Sequence, residues 1–336
     1  MKRRDFIAAG SAAVTLLPAM ASSQELEPAA PRDWSGNTPL RYPDPDLIAL
    51  DNRFQRYILF NTPIQRHHVG TLWAEGPAWN GVGRFLVWSD IPNNRQLRWI
   101  EDDNRVTEFR NPSGNSNGNT FDFEGRQISC EHGNRRVVRY EHDGTTTVIA
   151  DSYEGQPLNS PNDATVHPDG SIWFTDPTYG IDSDYEGDIA ESEIGECFVY
   201  RLDPDGTMDA VIRDMTRPNG LAFSPDETTL YVADTGSSHV GSKCPPDIRA
   251  YQVSDDGNLI SDSYSIFATC TSGVFDGFRV DSQGNLWTSA GDGVHCYSSD
   301  GSLIGKIRIP EVVSNVEFGG LKRNRLYICA TTSLYS

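Results

Sequence analysis

Five short polar segments recur along the chain, and each places an oxygen-bearing side chain just before a strand-like run. The leading residues are acids or amides followed by Gly or Asp, and a weaker sixth copy begins at Asn315. The five leading residues are Glu75, Asn117, Asn162, Asn219 and Asp276. Carboxylate and amide oxygens are the ligands that hard cations such as Ca²⁺ prefer. If these side chains converge, the sequence predicts a divalent metal site.

The spacing of the leading residues indicates how they could converge. With Asn315 counted as the sixth, successive members lie between 39 and 57 residues apart, with several strand-like runs in each interval. A period of this length with about four strands per unit is typical of a β-propeller, whose first strands line one central channel. We therefore predict an all-β fold, a six-bladed β-propeller with a metal site in the central channel.

Turn signals recur in phase with these residues. Asp- and Gly-rich turns precede the predicted second strands of units three to five, at 167–170, 224–226 and 281–284. Second strands of three units end in an aspartate, at Asp90, Asp176 and Asp234. Because these aspartates recur at a blade position that does not face the axis, we assign them to turn capping and not to metal binding. Asp163, next to Asn162, is assigned to capping in the same way.

The chain divides into three parts. Residues 1–21 carry twin arginines, an apolar run and an Ala-Met-Ala cleavage site, which predict a twin-arginine export signal and a periplasmic location. A Sec signal or an uncleaved anchor is the alternative. Residues 22–50 are predicted to form a Pro-rich arm or linker without a core of its own, and residues 51–336 the propeller. The sixth unit lacks outer strands, so residues 55–72 are expected to complete it and remove an open sheet edge.

The composition limits the partners. The chain has 28 Lys and Arg against 47 Asp and Glu, a formal net charge of −19. This charge disfavours nucleic acid and anionic membranes and favours cations or neutral solutes. We expect a small-molecule substrate and no obligate protein partner.

The six cysteines show no CxxC spacing, which disfavours a zinc or thioredoxin-type site. Cys130, Cys197, Cys296 and Cys329 lie in strand-like surroundings and are predicted to be buried, unpaired thiols. Cys244 and Cys270 lie in loop-like segments and are the best candidates for a disulfide.

At these motifs the chain resembles the SMP-30/gluconolactonase/luciferin-regenerating-enzyme (LRE) family, six-bladed propellers with a divalent metal in the channel. The resemblance extends over residues 60–336. The matching stretches are 74–77, 88–92, 130–136, 160–163, 174–180, 217–224 and 275–277. Each stretch alone is unspecific, and their order and spacing together carry the resemblance.

The resemblance implies a role for individual residues. Glu75, Asn219 and Asp276 fall where the family binds its metal, and Asn162 falls where it holds a further ligand or a substrate contact. Asp276 also occupies the position of the general base. Asn117 and His132 are further candidates for substrate binding. The implied cofactor is one divalent ion, Ca²⁺ in the first place, with Zn²⁺, Mn²⁺ or Mg²⁺ as alternatives.

The implied function is a metal-dependent hydrolase of the carboxylic-ester class that opens a sugar or other small lactone. Two alternatives use the same ring: a phosphotriesterase or arylesterase, and a non-catalytic periplasmic propeller that binds a sugar or partner. The asparagines could also be ordinary turn residues. Signatures of serine hydrolases, P-loop proteins, dinucleotide-binding folds and HExxH metalloproteases are absent from the sequence.

Overall fold

The computed structural model describes residues 30–336. The predicted export signal and residues 22–29 of the arm lie outside this range. Within it, no helix is long and apolar enough to cross a membrane. The described residues form six antiparallel sheets and one small hairpin, Ser152–Tyr153 with Gln156–Pro157.

Each sheet is one blade, and its strands follow one another outward from the centre. Blade 1 comprises Ala74–Asn80, Phe85–Asp90, Arg95–Ile100 and Arg105–Arg110. Blade 2 comprises Ser116–Phe121, Gln127–Glu131, Arg136–Tyr140 and Thr146–Ala150. Blade 3 comprises Ala164–Val166, Ile172–Asp176, Phe198–Leu202 and Met208–Ile212.

Blade 4 comprises Pro218–Phe223, Thr229–Asp234, Asp247–Val253 and Leu259–Thr269. Blade 5 comprises Phe278–Val280, Leu286–Ala290, Gly293–Tyr297, Leu303–Arg308 and an added edge strand, Leu47–Ala49. Blade 6 comprises Val313–Gly319, Arg325–Ala330, Ser333–Tyr335 and Arg66–Val69. The short helices are Asn52–Tyr57, Tyr179–Asp182, Ser237–Val240 and Gly241–Lys243.

The first strands of the blades form a closed ring. Each contacts the first strand of the next blade, and that of blade 6 contacts that of blade 1. This arrangement confirms the six-bladed propeller. Blade 6 is closed as predicted, because Arg66–Val69 pairs with Ser333–Tyr335.

Part of the predicted arm belongs to the folded body. Leu47–Ala49 pairs antiparallel with Leu303–Arg308 at the outer edge of blade 5. Arg32 donates to the carbonyl of Ile64 at 2.7 Å and stacks 4.0 Å over the ring of Trp34. The arm segment therefore covers an edge and ties the last two blades together.

Apolar side chains fill most spaces between neighbouring blades, and between blades 3 and 4 the cluster includes Trp173 and Tyr251. Blades 1 and 2 share a buried hydrogen-bond network instead. In it Asn119 Oδ1 accepts from Gln96 Nε2 at 3.0 Å and from Ser129 Oγ at 2.8 Å. The amides of Gln96 and Asn119 and the hydroxyl of Ser129 therefore have partners in this interface, as buried polar groups require.

The predicted capping aspartates are confirmed. Asp90, Asp176 and Asp234 are buried and accept from the backbone amides that lead into the first strand of their own blade. The donors are Leu72 at 2.9 Å, Asn159 and Ser160 at 2.9 and 2.8 Å, and Thr216 and Arg217 at 2.9 Å. These bonds fix the loop two or three residues before a leading residue, so they position the channel without entering it.

The predicted disulfide is wrong, because all six cysteines are free. Cys270 Sγ contacts the carbonyl of Ser272 at 3.2 Å, while Cys244 lies beside Thr216 and Asp234. The two side chains thus have different neighbours, although Cys270 N donates to the carbonyl of Pro246, two residues after Cys244, at 2.9 Å. The other four cysteines are unpaired as predicted, and only Cys197 is not fully buried.

Candidate metal centre

Glycines bring the leading residues together. Gly76, Gly118, Gly220 and Gly277 each follow a leading residue or its equivalent, and a Cβ at any of them would collide with the next blade. The collisions would be with Asn117 O at 2.0 Å, Asn162 O at 2.4 Å, Asp276 O at 2.3 Å and Asn315 Cγ at 1.9 Å. Only glycine allows inner strands to approach this closely.

Backbone hydrogen bonds join the leading positions across blades. Gly118 N donates to Asn162 O at 2.7 Å, and Gly220 N donates to Asp276 O at 3.2 Å. The strand ladder is also interrupted at Glu75, beside Asn117 and at Asn219, where the pairing register shifts. Such bulges re-aim side chains, and here they release the leading residues from the regular pairing of the sheet.

Two carboxylates meet in the channel. The side chain of Asp276 lies beside those of Glu75 and Asn219. Glu75 is 2% exposed, and its Oε2 accepts from Gly76 N at 2.7 Å and from Asn315 Nδ2 at 3.2 Å.

The surroundings of this pair disfavour two free negative charges. Burial, followed by the nearby charge of Asp276, raises the pKa of Glu75 well above its usual value. Burial, followed by the charges of Glu186 and Asp163, raises the pKa of Asp276 to about 8. Two neighbouring carboxylates, one buried and one partly buried, need a shared proton or a cation between them.

The donor set fits a divalent cation that prefers oxygen. Within residues 30–336, no three His, Cys, Asp or Glu side chains converge with metal-ligand geometry. An ion at the carboxylate pair would therefore take its remaining protein ligands from amides. Asn162 and Asn219 are 4% and 5% exposed, and the side chain of Asn219 lies beside Asp276. Such an oxygen set, without thiolate or imidazole, suits Ca²⁺.

Asn117 and His132 contact each other beside this pair. Asn117 Nδ2 lies 3.3 Å from His132 Nε2, and His132 is fully buried. Burial lowers the pKa of His132 to about 4, so the ring is neutral at neutral pH. If the Asn117 amide donates, the ring proton is on Nδ1, which has no hydrogen-bond partner. That assignment leaves Asn117 Oδ1 free to accept from another group.

Sequence reasoning missed one acid at this site. Glu186 lies in residues 177–197, which connect the second and third strands of blade 3. Its side chain is 26% exposed, and its Oε2 is 4.0 Å from His132 Nδ1. Burial raises the pKa of Glu186 to about 7. The only sequence signal was the length of this connection, because long connections in compact domains are often functional.

Several contacts hold residues 177–197 beside the leading residues. Ser160 Oγ donates to Pro177 O at 2.6 Å and accepts from Gly180 N at 2.9 Å. Gly180 packs so closely on His132 that a Cβ there would lie 2.5 Å from His132 Cβ. The Tyr179 hydroxyl hydrogen-bonds Thr235 of blade 4. These contacts hold Glu186 near His132 and the leading residues.

A sequence profile of the family described as SMP-30/Gluconolactonase/LRE-like region matches residues 73–332. This six-bladed propeller belongs to that family, which confirms the resemblance drawn from its motifs. A gluconolactonase of Zymomonas mobilis is 32% identical over 307 residues, which cover 85% of this chain and 83% of the relative.

Solved structures agree with the fold. A gluconolactonase from Xanthomonas campestris is 38% identical with a TM-score of 0.79, and the match covers 86% of this chain and 93% of that one. Regucalcin from Agrobacterium tumefaciens, described as a calcium-binding protein, has a TM-score of 0.66 at 19% identity. That match covers 80% of this chain and 92% of regucalcin, and it is a likeness of fold.

Proposed function

We propose that this protein is a metal-dependent hydrolase that opens the ring of a sugar or other small lactone, in the periplasm after twin-arginine export. One observation carries the proposal: the buried carboxylate of Glu75 and the partly buried carboxylate of Asp276 meet beside Asn219 in a channel lined by polar side chains. The gluconolactonases among the relatives support the substrate class.

In this proposal Glu75, Asn162, Asn219 and Asp276 hold one divalent cation. Ca²⁺ suits the oxygen donors best, and Zn²⁺, Mn²⁺ and Mg²⁺ are the alternatives to test. When bound, such an ion supplies Lewis-acid polarisation of the lactone carbonyl.

Asp276 is the proposed general base. It is the more exposed of the two carboxylates, since Glu75 is buried and engaged by Gly76 N and Asn315. Its carboxylate would take a proton from water as the water oxygen bonds to the carbonyl carbon. The acyl–oxygen bond of the ring then breaks, the proton passes to the departing ring oxygen, and a hydroxy acid is formed.

Asn117, His132 and Glu186 are proposed to orient the substrate. Asn117 Oδ1 would accept from a ring hydroxyl, and the neutral His132 would donate from Nδ1. Glu186 reaches the same region from the 177–197 connection and can accept from a second hydroxyl. Three polar contacts of this kind favour a substrate with several hydroxyl groups over an apolar one.

A pH-stat assay tests the proposal with a panel of sugar, aliphatic and aryl lactones. Protein stripped by a chelator should be inactive, and added Ca²⁺ should restore acid release. The same samples should be offered an activated phosphotriester and an aryl ester. Turnover of those alone would favour the esterase alternative, and a metal-loaded protein that turns over none of the compounds would favour a binding protein.

A further inference from the structure

One to three residues further along the chain from the leading positions, the channel holds a second charged group that the proposed mechanism does not use. Arg279 belongs to Phe278–Val280 of blade 5, and Glu317 belongs to Val313–Gly319 of blade 6. Asp163 directly precedes Ala164–Val166 of blade 3. Three blades therefore direct one base and two acids to one place.

Arg279 is held in this group by fixed contacts. Its Nε donates to Glu317 Oε2 at 2.7 Å, and its Nη1 donates to the carbonyl of Phe278 at 2.8 Å. Its side chain is 17% exposed and that of Glu317 is 16% exposed. The guanidinium therefore occupies a defined position.

Of the two acids in this group, Asp163 is the one with a carboxylate oxygen that accepts no hydrogen bond. It is 1% exposed, and its Oδ1 accepts from Ala164 N at 2.9 Å, which is the capping bond predicted from the sequence. Its Oδ2 has no hydrogen-bond partner, and Arg279 Nη1 stands 3.7 Å away. A buried carboxylate oxygen in this state retains the capacity to bind a cation.

This group and the carboxylate pair are electrostatically linked. The charge of Asp163 acts on both Glu75 and Asp276, and the charge of Glu75 acts on Arg279. Asn315 lies between the two groups, since its Nδ2 donates to Glu75 at 3.2 Å and its side chain also lies beside Asp163. Four carboxylates thus share one short stretch of channel with one guanidinium.

We propose that Arg279 is a built-in cation that fills a potential second divalent-ion site formed by Asp163, Glu317 and Asn315, and so limits the channel to one metal ion. The inference rests on the proposed function for the ion at Glu75 and Asp276. A guanidinium suits this role because it keeps its charge at any relevant pH and cannot be exchanged. Removing the side chain would leave two carboxylates and an amide oxygen, which are ligands of Ca²⁺.

The test is the number of Ca²⁺ ions bound per chain. Wild type and Arg279→Met are dialysed to equilibrium against about 1 mM Ca²⁺, the range of weak extracellular sites, and bound metal is measured by mass spectrometry. We expect one ion in wild type and two in Arg279→Met. The double variant Arg279→Met with Asp163→Asn should return to one.

Arg323→Met is the matched control, because it removes an exposed arginine whose charge also acts on Glu317. It should bind one ion. If Arg279→Met does not fold, Arg279→Gln retains a donor toward Glu317 and carries the same expectation, while Arg279→Lys should bind one ion.

Two results overturn the inference: a single ion in a folded, uncharged Arg279 variant, or two ions in wild type. No ion in wild type with one ion in Arg279→Met would support the role of Arg279 and contradict the proposed ion at Glu75 and Asp276. The two proposals can therefore fail separately.

Discussion

The backbone amide of Gly220 donates to the carbonyl oxygen of Asp276 at 3.2 Å. Gly220 follows the leading residue of blade 4, and Asp276 is the leading residue of blade 5. The bond therefore joins two members of the candidate site through the main chain. A main-chain bond therefore sets the distance between these two blades at the channel, and rotation of a side chain cannot change that distance.

Gly220→Ala should damage both the fold and the site. The new Cβ would lie 2.3 Å from Asp276 O, so the two inner strands must separate. We expect a loss of about 3 kcal/mol in the free energy of unfolding, the scale of overpacking a rigid contact. Metal affinity, measured by calorimetry, should fall with it.

Gly81→Ala is the matched control for this change. A Cβ at Gly81 meets its nearest atom, Arg323 Nη2, at 3.5 Å, which is an ordinary contact. Its unfolding midpoint in urea should match that of wild type. Equal midpoints for Gly220→Ala and Gly81→Ala would contradict the close approach of the inner strands.

The fold and the ring of leading residues could be predicted because their signals are local and repeated. Glu75, Asn219 and Asp276 each precede a glycine, and that pair of residues recurs in phase with turns and strands. Glu186 could not be found in this way, because it lies in an irregular connection whose path depends on contacts made by Ser160 and Gly180.

Arg279 and the cysteines show the same limit of sequence reasoning. Arg279 resembles any strand arginine until Asp163 and Glu317 are brought to it from two other blades. Cys270 N donates to Pro246 O, two residues from Cys244, but the sequence did not reveal which neighbours the two cysteine side chains face. The metal ligands and their roles stay predictions.

His132 should make stability depend on pH. Its pKa is about 4 in the folded protein, against an ordinary value of 6.5. Between these values the unfolded chain binds a proton that the native protein does not, so stability falls as pH falls. Protonation of His132 does not reduce the free energy of unfolding above pH 6.5. By pH 4 it has reduced that free energy by about 3 kcal/mol.

Urea unfolding of wild type and His132→Gln at several pH values between 4 and 7 measures this contribution. The stability difference between the two proteins should change across that range. His142→Gln, at an exposed position, should follow wild type throughout. If the difference in free energy of unfolding between wild type and His132→Gln stays constant from pH 4 to 7, the His132 ring does not cause the pH dependence.

Arg32→Met should loosen the arm segment. Arg32 Nη1 lies 3.2 Å from Asp44, whose side chain is fully buried, and the change leaves that carboxylate without its cation. We expect a loss of about 2 kcal/mol in the free energy of unfolding, below the range for fully buried pairs because Arg32 is partly exposed.

Arg41→Met removes the same charge from an exposed position of the same segment. It should leave the thermal midpoint unchanged. If Arg32→Met and Arg41→Met behave alike, the segment contributes little to the folded body beyond its edge strand.

Glu186→Gln tests the acid that sequence reasoning missed. If Glu186 accepts from a substrate hydroxyl, KM for a polyhydroxylated lactone should rise by about tenfold, since a hydrogen bond to a charged group is weakened. An aliphatic lactone without hydroxyls should be unaffected. Glu191→Gln, on an exposed part of the same connection, is the control. A similar rise for both lactones would assign Glu186 a role in shaping the site and not in recognition.

Asp276→Asn separates catalysis from metal binding. The amide keeps the size of the side chain and one ligand oxygen but removes the base, so kcat at saturating metal should fall at least about a hundredfold. Glu75→Gln should act mainly through metal affinity, and excess Ca²⁺ should partly restore its activity. Both variants are compared by kcat over a Ca²⁺ titration, with bound metal measured in parallel. Near-wild-type turnover of metal-loaded Asp276→Asn would make Asp276 a ligand only. The proton would then have to be taken by another group, and Glu75, in contact with Asp276, is the first candidate.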